Sequence, residues 1–374
     1  MKKILTAAAA LLLSVVCLPL ATTAATASTT HRVGVATYSL GDSVFELPPG
    51  SDGTPAKGEL TAVVHYPKDL AGHRYPVVLI SHGLWISCAD KQAWKDEDWE
   101  KLDAWPCAAG TPEIPNYRGY DYLGTTLAAQ GMIVISISAN GTKARMGQEQ
   151  DEARAALINQ HLKMWQQLSS TGRGPLAGKL PVNFQGHADL TNVGLMGHSR
   201  GGRGTLFYAA DQHQRDWPAG VRIKAVIPLA AAEPYSPDDD PNNPELDGYR
   251  ITNIPVGAFI GTCDGAVRGN VYDYLQANNK QPLYEWTVRG ANHDFFNTQW
   301  SPASGQVGAY DDAPADCTDK RMTEPQQRSV ATAYTSAFFK RYLLNDRSGM
   351  PLLTGAVRPF AVDVKVDQGV GSRR

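Results

Sequence analysis

A series of short, continuous apolar runs most constrains what this chain can fold into. Tyr75-Pro-Val-Val-Leu-Ile80, the run 131–138 (Gly-Met-Ile-Val-Ile-Ser-Ile-Ser), Val193–Met196, Ile223–Leu229, Ile254–Ile260 and Leu283–Val288 are each about one strand long. Runs of this kind are buried on both faces, as in a parallel sheet covered by helices. Between them lie stretches that read as helices: 121–130, Glu149–Gln167, the segment following Met196 to about Asp211, and Pro325–Leu344. Strands alternating with helices predict an α/β fold with a doubly wound, mostly parallel sheet. The β-rich segments Val33–Tyr38 and Leu60–Pro67, bounded by Gly, Pro and Asp turns, predict an antiparallel hairpin at one edge. There is no internal repeat. The excursion 236–248 is rich in turn formers but too short to separate domains, so residues 28–374 read as one domain.

Residues 1–27 are set apart. Lys2 and Lys3 precede the apolar run Ile4–Leu20, and small residues end at Ala25-Thr-Ala27. That order of charged, apolar and A-x-A segments is a secretory signal peptide rather than a structural helix. No Arg-Arg pair marks the twin-arginine route, and Cys17 lacks the residues expected before a lipidated cysteine. Cleavage takes the formal charge from −2 to −4. The expected product is a secreted, extracellular monomer without a transmembrane segment. With 35 basic and 37 acidic side chains and no basic stripe, nucleic acid is not an expected partner.

Four cysteines remain after cleavage: Cys88, Cys107, Cys263 and Cys317. An even count in an exported chain favours two disulfides, with three connectivities open. The sequence-local pairing Cys88–Cys107 and Cys263–Cys317 is preferred. Zinc is the rival, but no C-x-x-C pair or clustered histidines support it. No cofactor or metal is expected, although Asp238–Asp240 with Glu245 and Asp247 leaves a structural calcium site open.

The chemistry centres on Gly197-His-Ser-Arg-Gly-Gly202, which follows the strand Val193–Met196 and opens a helix. A G-x-S-x-G in a strand–turn–helix setting is a nucleophile elbow, whose strained turn projects a serine at the carboxyl ends of the strands. Ser199 is the candidate nucleophile, and it needs a base to take its proton. The acid and base follow such an elbow in that chain order. Only His213 and His293 lie beyond Ser199. His213 ends the helix after the elbow and points away, leaving His293, just after the last strand, as candidate base. Asp264, after the strand Ile254–Ile260, is the candidate acid, with Glu233 as alternative. Backbone N–H donors for the oxyanion are expected from Arg200, next to the nucleophile, and from Leu84, in the loop Ser81-His-Gly-Leu84. His82 reads as structural.

These residues resemble the α/β-hydrolase superfamily, in its exported esterase branch near dienelactone hydrolases, bacterial cutinase-like polyester hydrolases and chlorophyllases. Gly-His-Ser-Arg-Gly-Gly is similar to the chlorophyllase elbow. The resemblance covers roughly Val77 to Leu344. It implies the α/β-hydrolase sheet and a serine carboxylic-ester hydrolase working through an acyl-enzyme, on a small-molecule, lipid or polymeric ester. A serine peptidase or amidase with the same triad is the alternative, although peptidases of this fold usually carry a propeller or large cap. A non-catalytic hydrolase-fold binding protein would be expected to lack a triad member, and none is missing.

The segment Trp85–Arg118 departs from the compact cutinase-like pattern. Four of the eight tryptophans (Trp85, Trp94, Trp99 and Trp105) fall within it, directly after the oxyanion loop. They form either an aromatic wall or lid over an apolar pocket, or the small core of a self-packed insertion pinned by Cys88–Cys107.

Overall fold

The structure, a computed structural model, describes residues 30–233, 248–267, 269, 271–276 and 279–369. The signal segment 1–27 and the acidic residues Asp238–Asp240, Glu245 and Asp247 lie outside the described residues. In chain order the strands are β1 (Val33–Ser39), β2 (Phe45–Glu46), β3 (Lys57–Gly58), β4 (Thr61–Pro67), β5 (Tyr75–Ser81), β6 (Ile133–Ile137), β7 (Ala188–His198), β8 (Ile223–Leu229), β9 (Val256–Gly261), β10 (Leu283–Val288) and β11 (Val362–Asp367). The helices are α1 (Lys91–Lys95), α2 (Trp99–Asp103), α3 (Asp121–Ala129), α4 (Gly147–Thr171), α5 (Arg200–Ala209), α6 (Val271–Gln276), α7 (Glu324–Leu343) and α8 (Met350–Leu353).

Among the described residues nine strands make one mixed sheet in the order β1-β4-β6-β5-β7-β8-β9-β10-β11, and β2 and β3 form a small antiparallel ladder. The centre, from β6 to β10, is parallel. β1 pairs antiparallel with β4 and β4 with β6, giving the expected antiparallel edge. Along the central strands alternate residues serve opposite faces. Val77 and Leu79 of β5 join the core beneath α4 and α5, whereas Val78 and Ile80 join the core beneath α3 and α7. The period-2 direction of strand side chains therefore divides one apolar run between two layers.

Two features extend the sequence reading. β7 begins at Ala188 rather than Val193, with a register shift against β8 at Val193/Gly194. The chain also does not end its regular structure at α7, because α8 and β11 follow, and β11 closes the second edge antiparallel to β10. Its sequence, Val-Asp-Val-Lys-Val-Asp, alternates with period 2, the signal of a half-buried edge strand. α7 starts with a Thr323/Gln326 capping box and ends with Lys340 and Arg341 in its last turn, as the helix dipole favours. Among the described residues no helix is long and apolar enough to cross a membrane.

Candidate active site

The chain changes direction twice around β5, since β6 lies on one side of it and β7 on the other. Ligands of open α/β sheets bind outside the carboxyl ends of the strands at such a switch point. The candidate residues collect there: the loop Ser81–Leu84 ends β5, Ser199 ends β7, Asp264 follows β9 and His293 follows β10.

Ser199 has φ 54° and ψ −124°, a conformation that costs a non-glycine residue about 1–3 kcal/mol. Its backbone holds this pose by donating from N–H to Leu229 O and accepting from Gly202 N–H. The glycines are demanded by proximity. A Cβ on Gly201 would lie 2.3 Å from Ser81 O and 2.5 Å from His82 O, both backbone atoms. A Cβ on Gly83 would lie 2.6 Å from Ser199 Cβ, which places the loop after β5 directly against the serine. Arg200 is the first residue of α5, so its N–H belongs to the first-turn donors that have no intrahelical acceptor.

His293 is bonded through Nδ1 to Asp264 Oδ2 at 2.9 Å, and both side chains are buried. With Nδ1–H donating to the carboxylate, the neutral ring keeps its lone pair on Nε2. Burial pushes the His293 pKa down, but Asp264, Asp294 and Asp312 together outweigh it, and the net shift is upward. Asp264 Oδ1 accepts from the N–H groups of Ala266 and Val267, which fixes the carboxylate's orientation. It is Asp264, and not Glu233, that meets the histidine. Ser199 Oγ and His293 Nε2 are not hydrogen-bonded to each other in this conformation; such bonds are often long before substrate binds.

The remaining assignments fall as follows. His82 is a buried scaffold residue. Its Nε2 accepts from Ala139 N–H and its Nδ1–H donates to Gly83 O, each at 2.8 Å, so the ring is neutral and its tautomer set. Burial and the nearby Arg154 push its pKa down to about 3. His213 stacks on Phe207 with ring centroids 4.0 Å apart, away from Ser199. The disulfides join Cys88 to Cys107 and Cys263 to Cys317, with Cα–Cα distances of 5.6 and 5.4 Å.

Several neighbours carry no sequence motif. Arg154 of α4 is fully buried and donates to His82 O at 2.6 Å and Gly83 O at 3.2 Å, so a cation anchors the loop after β5. Asp151, one turn earlier, faces Arg200 at 3.2 Å and Arg203 at 2.7 Å. The signal for both was present: Asp151, Arg154, His161 and Trp165 recur at helical spacing on the face that also carries Ile158 and Leu162. Charged residues on a buried stripe need partners. His198, inside the elbow, lies between His293 (centroids 4.6 Å) and Trp300 (4.8 Å). Trp300 in turn stacks on Trp85 at 5.1 Å.

The tryptophan segment does two things at once. Ile86, Ala93, Leu102 and Ile114 form its own small core, with N-caps from Asp90 and Asp98 starting α1 and α2. Trp94 and Trp99 remain 38% and 53% exposed, meet edge to face at 5.8 Å, and line a cavity of about 420 Å³ with Leu84, Trp85, Ile86 and Tyr310. A more polar cleft of about 760 Å³, lined by Trp105, Lys143, Arg145 and Arg200 among others, lies beside it. Leu84, Asp103 and Lys143 border both.

No protein-family model matches the sequence, and none of the curated proteins is significantly similar to it.

Proposed function

We propose that the chain is a serine hydrolase of the α/β-hydrolase type that cleaves carboxylic esters through an acyl-enzyme. The reading is carried by one arrangement: a serine held at φ 54° on a strand–turn–helix, on the same sheet edge as a buried, hydrogen-bonded Asp264–His293 pair that follows β9 and β10. In this reading His293 Nε2 takes the Ser199 proton as Oγ attacks the ester carbonyl. Asp264 stabilises the imidazolium. The N–H groups of Leu84 and Arg200 receive the oxyanion, with Arg154 and Gly83 holding the first of them in place. The imidazolium then protonates the departing alcohol, and water repeats the cycle on the acyl-enzyme.

The two cavities suggest a substrate whose apolar part occupies the Trp94/Trp99 slot and whose polar part lies along the wider cleft. Four of the large apolar side chains left exposed, Leu84, Trp94, Trp99 and Tyr310, gather at that slot. Such a patch marks a binding surface rather than ordinary scatter. Two disulfides and the A-x-A leader support an exported protein.

The test is a panel of aryl esters from acetate to palmitate with matched anilides, using Ser199→Ala as blank. Ester turnover well above the blank, with anilides much slower, is expected. Faster anilide cleavage moves the assignment to a peptidase or amidase. No turnover on either series removes the hydrolase reading.

A further inference from the structure

The segment 311–322, which follows the base loop, crosses back over both catalytic loops. Asp312 makes three of its contacts. Oδ2 accepts from Gly265 N–H at 2.9 Å and from His293 N–H at 3.1 Å, and Oδ1 accepts from Asp294 N–H at 2.9 Å. Gly265 adjoins the candidate acid, and His293 is the candidate base. One half-buried carboxylate thus binds the backbone of both. The fit is tight: a Cβ on Gly265 would lie 2.1 Å from Asp312 O, so only glycine lets the acid loop and the strap approach this closely.

The rest of the strap is fastened on either side of Asp312. Asp311 Oδ1 accepts from Asn292 Nδ2 at 2.8 Å. Asp319 Oδ2 accepts from Thr262 Oγ1 at 2.7 Å, and that hydroxyl accepts from Gly290 N–H at 2.8 Å. Met322 N–H donates to Gly290 O at 2.8 Å, and Cys317 is bonded to Cys263 beside Asp264. Each of these ties the strap to one catalytic loop or to the turn before it. Of these three carboxylates, Asp312 is the one that binds the backbone of both loops.

We propose that Asp312 is a positioning residue for hydrolysis, a single carboxylate that holds the acid loop and the base loop in fixed relation. The proposal rests on the hydrolase reading above. A carboxylate suits the task because it only accepts, and three converging N–H groups require an acceptor with two oxygens. An amide in its place would turn an N–H toward backbone donors on one side. Asp312 also adds negative charge near the imidazole. The groups facing that ring are Asp264 from the acid loop, Asp294 from its own loop, Asp312 from the strap and the neutral His198 from the elbow. Protonated His293 is therefore favoured in part by the strap.

The experiment compares Asp312→Asn, Asp312→Glu and Asp319→Asn with the wild type on a short-chain ester, reading kcat, KM and the pH profile of kcat/KM. Melting curves establish that each variant is folded at the assay temperature. In Asp312→Asn, kcat is expected to fall about 10- to 100-fold, the scale of a misplacement near 1 Å, and KM to change less than about threefold. Its acidic limb should move to lower pH, because a negative charge beside the imidazolium is gone. Asp312→Glu keeps the charge but shifts the oxygens, so kcat should fall while the limb stays. Should Asp312→Asn fail to fold, Asp312→Glu carries the kinetic test alone. Asp319→Asn loosens the strap away from His293 and should leave kcat and the limb near wild type. The proposal is overturned by an Asp312→Asn kcat within about threefold of wild type, by an unmoved limb, or by an equal loss in Asp319→Asn. A wild type inert toward both esters and a fluorophosphonate serine probe would instead remove the hydrolase reading itself.

Discussion

Truncating Trp99 separates the two roles of the tryptophan segment. An aromatic side chain offers about 150–250 Å² for burial, so at 53% exposure roughly 100 Å² of Trp99 stays open to the slot. A substrate covering half of that face buries ~50 Å² of indole and a similar area of its own. At about 25 cal/mol per Å² the contact is worth roughly 1–2.5 kcal/mol, or ~5- to 60-fold in kcat/KM. Acetyl esters reach less of the wall and should lose less. Because Trp99 is half exposed in the free protein, its removal should cost the fold under about 1.5 kcal/mol. The assay is the ratio of kcat/KM for long- and short-chain esters in Trp99→Ala and wild type, with melting temperature alongside. A lowered melting temperature with an unchanged ratio would refute the slot and leave the segment as a self-packed insertion.

Ser199→Ala and His293→Ala should each remove nearly all ester hydrolysis, with the double variant little worse, because such residues act as a unit; active-site titration and single-turnover rates check this. Asp264→Asn should lower turnover by orders of magnitude through the wrong imidazole tautomer, while Glu233→Gln should not; the opposite pattern would move the acid to Glu233. The His293 pKa is raised above 6.5, so kcat/KM should rise with pH along a limb whose midpoint exceeds that value, since the base must be neutral. The same shift stabilises the fold fully below 6.5 and is lost as pH rises through the raised value, which urea titrations at several pH values would detect. Gly201→Ala drives a methyl into two backbone carbonyls that cannot yield, and should cost about 3 kcal/mol or more by chemical denaturation. The disulfides enclose separations of 19 and 54 residues, so replacing each pair by Ala should cost about 3 and about 4 kcal/mol respectively, with the larger fall in melting temperature at Cys263–Cys317.

Strands were most legible where local pattern and final environment agree. Ile223–Leu229 and Leu283–Val288 match β8 and β10, because a strand buried on both faces shows its apolar character without reference to partners. The first residues of β7 are not legible in the sequence, since Asp189, Thr191 and Asn192 interrupt its apolar character before Val193. β11 is a short alternating segment whose strand is stabilised by pairing with the β10 edge, a partner about 75 residues away that the local pattern does not reveal. In the candidate site the elbow was visible for a covalent reason: the turn, its glycines and the serine lie within six consecutive residues, and sterics act locally.

The sequence by itself therefore determined the alternation that builds the sheet, the strained serine turn, and the chain order in which Asp264 and His293 follow it. Those are short-range properties of backbone and side-chain type. Only the tertiary structure decided that Arg154 anchors the loop after β5 from a helix 72 residues away, and that Asp312 reaches the backbone of the loops carrying Asp264 and His293. It alone decided that Trp85 stacks on Trp300, linking the slot to His198 and His293. A carboxylate, a guanidinium or an indole has no fixed role in a linear chain. Its role is set by which donors, acceptors and rings the fold brings within 3–6 Å, and those partners are distant in sequence.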